Sequence, residues 1–161
     1  MNFFTTIHST QHPQQYALFL HGNIRILVFN YVHYDEIDSG VMETFLNIAS
    51  TTTPLLRILI INLRSIRATS LPAHFLSVLH RWPELQAVAF DADLEGDEDV
   101  FFLRELDARC QELNRTLTVV LNRSRVIDDD VVIAIHAWQQ RMNNLNIFLL
   151  DDSATIANYL L

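Results

Sequence analysis

Lysine is absent from this chain of 161 residues, and all 11 basic residues are arginine. That excludes a phosphate-loop lysine, a Schiff-base lysine and a lysine general base. Glycine occurs only three times, at Gly22, Gly40 and Gly96, which leaves no glycine-rich loop to bring backbone against a pyrophosphate. The single cysteine, Cys110, cannot form an internal disulfide and fits a reducing compartment. No apolar run approaches the ~18 residues that cross a bilayer. The opening Met1-Asn2-Phe3-Phe4-Thr5-Thr6 has neither the basic nor the long apolar region of a secretion signal. These absences predict a cytoplasmic protein with no membrane span. A formal net charge of −8 opposes nucleic acid as a partner.

What is present is a five-fold echo. Apolar runs end in Asn or Asp at Asn30, Asn62, Asp91, Asn122 and Asp151, at intervals of 32, 29, 31 and 29 residues. A strand, a helix and two turns occupy about 30 residues, the length of a βαβ unit. Half of the residues are hydrophobic, and a chain of this length is most simply one domain, 1–161, with an ordered core.

The spacing Leu56-x-x-Leu59-x-Ile61 and Leu85-x-x-Val88-x-Phe90 has the look of a leucine-rich solenoid. The intervening positions argue the other way. Ile60, Ala89, Val120 and Leu149 are apolar, where a one-sided solenoid would leave them to solvent. Strands apolar on both faces are expected in a parallel sheet with helices on each side.

Along the chain, Tyr16 to Leu20, followed by His21-Gly22-Asn23 and the first echo run, reads as a β-hairpin. Residues 2–10 are a candidate edge strand. Apolar stripes at helical spacing predict helices over 36–50 (Ile37, Val41, Phe45, Ile48), 70–82 (Leu71, Phe75, Val78, Leu79, Trp82), 97–113 (Phe102, Leu106, Cys110, Leu113) and 129–142 (Val131, Ile135, Trp138, Met142). A short helix over about 152–160 closes the chain. Ser70 and Pro72 suit the start of the second helix. Asp97-Glu98-Asp99 and Asp128 to Asp130 suit the positive N-terminal ends of the third and fourth.

Three stretches, Ala17 to Ala49, Ile58 to Leu76 and Ile147 to Leu160, together resemble the STAS domain of bacterial anti-sigma-factor antagonists and related STAS/SEC14-type proteins. The resemblance covers about two fifths of the chain and implies an α/β fold with a regulatory, protein-binding role. Such antagonists carry an Asp-Ser-Ser-Gly-type segment with a phosphorylated serine before the second helix. Here the matching positions are Ser70 and Leu71, so that motif is missing, although Thr69 and Ser70 supply hydroxyls.

The carboxyl ends of parallel strands are where α/β sheets bind ligands. That edge is expected to gather Asn30, Asn62, Arg64, Arg67, Asp91, Asp93, Asn122, Arg123, Arg125, Asp151 and Asp152. Asn and Asp also end strands and cap helices through local hydrogen bonds, which competes with any functional role. Asp91-Ala92-Asp93 resembles the nucleophile motif of haloacid-dehalogenase-type phosphotransferases. That resemblance implies attack on phosphorus by Asp91, acid/base work by Asp93, and Mg²⁺ held with the help of Asp151 and Asp152. The family's usual phosphate-clamping lysine has no counterpart here. Arg64 with Arg67, and Arg123 with Arg125, suit either an anion site or ion pairs with the acidic residues nearby. The seven histidines have no ligand spacing, and Cys110 falls in an apolar stripe.

The sequence thus predicts an α/β domain: a mostly parallel sheet of five or six strands, an N-terminal β-hairpin and helices packed on the sheet. The leading function is a non-enzymatic regulatory or interaction module of STAS-like type. It needs no cofactor and binds another protein, such as a signalling regulator, through Arg64, Arg67, Thr69, Ser70 and His74, with homodimerisation open. The alternatives are a Mg²⁺-dependent phosphotransferase and a binder of small apolar ligands such as lipids.

Overall fold

A computed structural model describes residues 3–8, 13–31, 39–67, 71–93, 97–122 and 129–150. Six strands, β1 (Phe3–His8), β2 (Ile24–Tyr31), β3 (Ile58–Arg67), β4 (Ala87–Asp93), β5 (Leu117–Asn122) and β6 (Leu145–Leu150), form one sheet. Every pairing is parallel, and the strands lie side by side in chain order. Five helices connect them: α1 (Pro13–Phe19), α2 (Ser39–Thr52), α3 (Leu71–Val78), α4 (Asp97–Glu112) and α5 (Asp129–Gln139). A 3-10 turn at Leu79–Arg81 extends α3. The α/β class and the parallel sheet of the sequence reading are observed. The closing helix expected over about 152–160 lies outside the described residues.

The N-terminal hairpin is not. Parallel strands cannot be joined by a tight turn and need a crossover; the segment read as the first hairpin strand is that crossover, α1. Tyr16 and Leu20, four residues apart, are buried, while Ala17, Leu18 and Phe19 between them are exposed, the one-sided burial of a helical turn. Pro13 at the first helical position supplies a φ suited to the start. The partner of β2 is Phe3–His8, where Phe3, Phe4, Thr5, Thr6 and Ile7 are of strand-favouring types.

The second difference concerns the faces. Crossovers between parallel strands are right-handed almost without exception, so a strictly sequential strand order sends each helix to the same side. All five helices contribute to one buried cluster, through Tyr16, Phe45, Phe75, Leu106 and Ile135 among others. Apart from Ile24 at the start of β2, the strand residues in that cluster are of one parity within each strand, such as Leu27, Leu59, Val88, Val119 and Ile147 in register. Leu149 also belongs on this side, although the sequence reading grouped it with Ile60. A second, smaller cluster of Val28, Ile60, Ala89 and Val120 occupies the opposite face with Ile58 and Leu150 packed against it, and no described helix residue joins it. Ala89 and Val120 are nonetheless fully buried. Burial on both faces is therefore real, but described helices supply it on one face only. The repeat order that the apolar spacing suggested, and that two-faced burial argued against, is the one adopted, with stacked strand–helix units as in α/β solenoids.

Aromatic packing ties the units of the helix side together. Phe29 stacks on Phe45 at 3.9 Å between centroids, with Tyr16 edge-on to both. Phe75 meets Phe90 and Phe102 edge-to-face at 5.7 and 6.4 Å. At the amino ends of the strands, the indole Nε1–H of Trp82 donates to Thr53 Oγ1 at 3.2 Å, and Thr53 Oγ1 donates to the carbonyl of Ala49 at 2.8 Å. Asn114, with φ of 50°, ends α4 in the left-handed conformation. The next residue, Arg115, donates from Nη1 and Nη2 to the carbonyls of Trp82 and Leu85.

Candidate functional site

Along each strand, side chains alternate between faces, so residues in register across a parallel sheet form rows. One row at the carboxyl end is polar: His8, Asn30, Asn62 and Asp91 are register partners on β1 to β4. Asn122 continues the row on β5 and is followed by Leu150 on β6. It lies on the face of the smaller cluster, because Asn30, Asn62, Asp91 and Asn122 each follow a residue of that cluster by two positions.

The spacing of neighbouring strands, about 4.8 Å, is short enough for amide side chains in register to bond to one another. Asn62 Nδ2 donates to Asn30 Oδ1 at 2.6 Å, and Asn122 Nδ2 donates to Asp91 Oδ1 at 2.8 Å. Asn30 and Asn62 are half-buried, while Asp91 and Asn122 are 4% and 2% exposed. A carboxylate withdrawn from water needs donors, and Asn122 supplies one. Four of the five periodic Asn/Asp residues therefore form a row in register across β2 to β5, joined as two hydrogen-bonded pairs, while Leu150 takes the corresponding place on β6. Four members of the expected carboxyl-edge set, Asn30, Asn62, Asp91 and Asn122, are brought together.

The other expected residues are placed differently. β3 continues through Arg64 to Arg67, so both arginines belong to a strand, not to an exposed loop. Arg67 stands opposite Asp93 in the β3–β4 ladder. Beyond those backbone positions, the side chains of Arg64, Arg67 and Asp93 lie outside the described residues, as do Thr69, Ser70, Arg123, Arg125, Asp151 and Asp152 altogether. His74 sits in the seam between α3 and α2, its Nε2 3.9 Å from Glu43 Oε2. Among the described residues no group of three His, Cys, Asp or Glu is arranged to hold a metal. Cys110 is fully buried on the helix side. Burial pushes its thiol up to about 11, with Arg115 pulling down and Asp107 pushing up more weakly, so it is a poor nucleophile.

Comparison with protein-family models, curated proteins and solved structures finds no match. The resemblances to STAS domains and to haloacid-dehalogenase-type enzymes rest on the quoted sequence stretches alone.

The edge strand expected over residues 2–10 is observed as β1; what sequence reasoning missed in this first unit is α1, the helix that follows it, and the apolar surface the two expose. β1 pairs with β2 and with no other described strand. Its residues, Phe-Phe-Thr-Thr-Ile-His, include no Lys, Arg, Asp, Glu or Pro. Phe4 is 53% exposed, and on the adjoining α1 Leu18 and Phe19 are 79% and 48% exposed. Strand-favouring residues at positions 3–7 were the available signal. No described helix is long and apolar enough to cross a membrane, so these exposed apolar groups are not part of such a span.

Proposed function

We propose that this chain is a non-enzymatic protein-interaction module that engages its partner through β1, the outer strand of the first unit. The observation that carries the reading is the composition of that edge. Proteins normally blunt an edge strand with charge, Pro or a bulge, because its unpaired N–H and C=O groups template pairing with another chain. Here the edge carries no charge or Pro, its register irregularity is confined to Phe3/Phe4 at the strand's start, and Phe4 on it and Leu18 and Phe19 on α1 are exposed. An extended segment of a partner protein added there gains main-chain hydrogen bonds, with Phe4 as an apolar contact. A regulatory role through a protein partner agrees with the STAS-type expectation, but the surface moves from the 64–74 segment to β1 and α1.

The test is affinity capture from the native host with wild type and with a Phe4→Lys/Thr6→Lys variant. Both positions lie on the face away from the helices, so the variant is expected to keep the wild-type melting temperature. A defined protein recovered by wild type and lost from the variant supports the reading. Equal recovery by both, or no specific protein with either, overturns it.

A further inference from the structure

Away from the carboxamide row and from β1, the helix layer carries a cleft of about 320 Å3 between α4 and the end of α5. That is within the lower range of small-molecule sites. Arg104, Asp107 and Gln111 line it from one stripe of α4, spaced as one helix face requires. Trp138, Arg141 and Met142 line it from α5 and the turn after it. The two walls are fastened together, since the backbone N–H of Asn144 donates to Asp107 Oδ1 at 2.9 Å.

Two charge facts stand out. The chain has 19 acidic residues for 11 arginines, so a surface arginine has no shortage of partners. Yet the ion pairs among the described residues, His74–Glu43 and Arg109–Glu112, include neither Arg104 nor Arg141. Arg104 instead lies over the ring of Trp138, with Cζ 4.9 Å from its centroid, and 5.9 Å from that of Phe101. Stacking of this kind holds the guanidinium in place while leaving its edge N–H groups available. A pre-positioned guanidinium fork is the arrangement that binds a carboxylate in two-point fashion.

We propose that the cleft is a binding site for a small aromatic carboxylate. The carboxylate pairs with Arg104 and Arg141, and the flat apolar body rests against Trp138 and Met142. Asp107 in the wall disfavours a second negative charge, which selects a monoanion. The site uses none of the residues assigned to partner binding, so either proposal stands or falls without the other.

The chain's two tryptophans make the test residue-specific. Titration with 2-naphthoate, followed by the ¹⁵N–¹H indole signals, is expected to move the Trp138 signal saturably and leave that of buried Trp82 in place. Arg104→Gln and Arg141→Gln are each expected to weaken binding at least tenfold, with unchanged melting temperatures. The neutral isostere 2-naphthamide and inorganic phosphate, as separate probes, are expected to bind at least tenfold more weakly. Absence of a saturable Trp138 shift overturns the proposal. So does equal binding of the amide, equal binding of phosphate, or unchanged affinity in both arginine variants.

Discussion

Asn122 and Asp91, 31 residues apart in the chain, meet across β4 and β5 with Nδ2 2.8 Å from Oδ1, nearly sealed from solvent. Asn122→Ala removes a donor from a buried carboxylate and is expected to cost about 1–3 kcal/mol. For a chain of this size that lowers the melting temperature by roughly 2–10 °C. Asn122→Asp sets two acidic groups side by side and is expected to cost more. Asp91→Asn keeps an oxygen facing Asn122 and is expected to cost less than either. Thermal melts of the three variants at pH 7 check the order, and a neutral Asn122→Ala would remove the row from the stabilising features.

Trp82 and Thr53 give a second buried pair. Thr53→Val keeps the shape but strands the indole N–H, with an expected loss of about 1–3 kcal/mol. Thr53→Ser, which retains the hydroxyl, is expected to lose less. Urea unfolding of both variants, with unchanged dependence on denaturant, tests this.

The buried thiol predicts a pH dependence. Burial pushes the Cys110 thiol from its ordinary 9.0, the value expected of the unfolded chain, up to about 11 in the native protein. As pH rises above 9.0, the unfolded chain releases this proton first, so the native state loses stability until about pH 11. Below 9.0 the contribution is fully present. The stability of wild type relative to Cys110→Ala is therefore expected to fall by up to ~1.4 kcal/mol per pH unit across that window. Denaturant titrations of both proteins at pH 8 and pH 10.5 measure it. A pH-independent difference would contradict it.

Arg115 joins α4 to the loop before β4 through two carbonyls. Arg115→Met retains much of the side-chain stem and removes both charged donors, with an expected cost of about 1.5–3 kcal/mol. It also removes the positive charge that lowers the Cys110 thiol. In Arg115→Met, alkylation of Cys110 in the native protein at pH 9 is expected to be no faster than in wild type.

The Asn/Asp row was legible because each member ends an apolar run, and runs recurring about every 30 residues lie side by side in a parallel sheet. α4 and α5 were legible from their apolar stripes and acidic first turns. Tyr16 to Leu20 was misread because five apolar residues in succession have no period that separates strand from helix; only the strand before them shows that a crossover is needed. The side taken by the helices was also hidden. Ile60, Ala89 and Val120 announce burial, and burial carries no label for what provides it. His8 in the polar row and the meeting of Arg104 with Trp138 depend on strand order and helix adjacency, which no local pattern encodes.

The chain-order arrangement of β1 to β6 has a kinetic consequence. No strand waits for a distant one, because each docks on the strand made just before it, 21 to 32 residues back. Loop-closure cost stays near that of a single crossover at every step, whereas parallel sheets with shuffled strands incur larger closures. Such an order permits assembly from the first unit to the last while synthesis proceeds. On that route a destabilised unit in the middle delays everything downstream, so equal losses in β2 and in β6 are unequal insults to a growing chain.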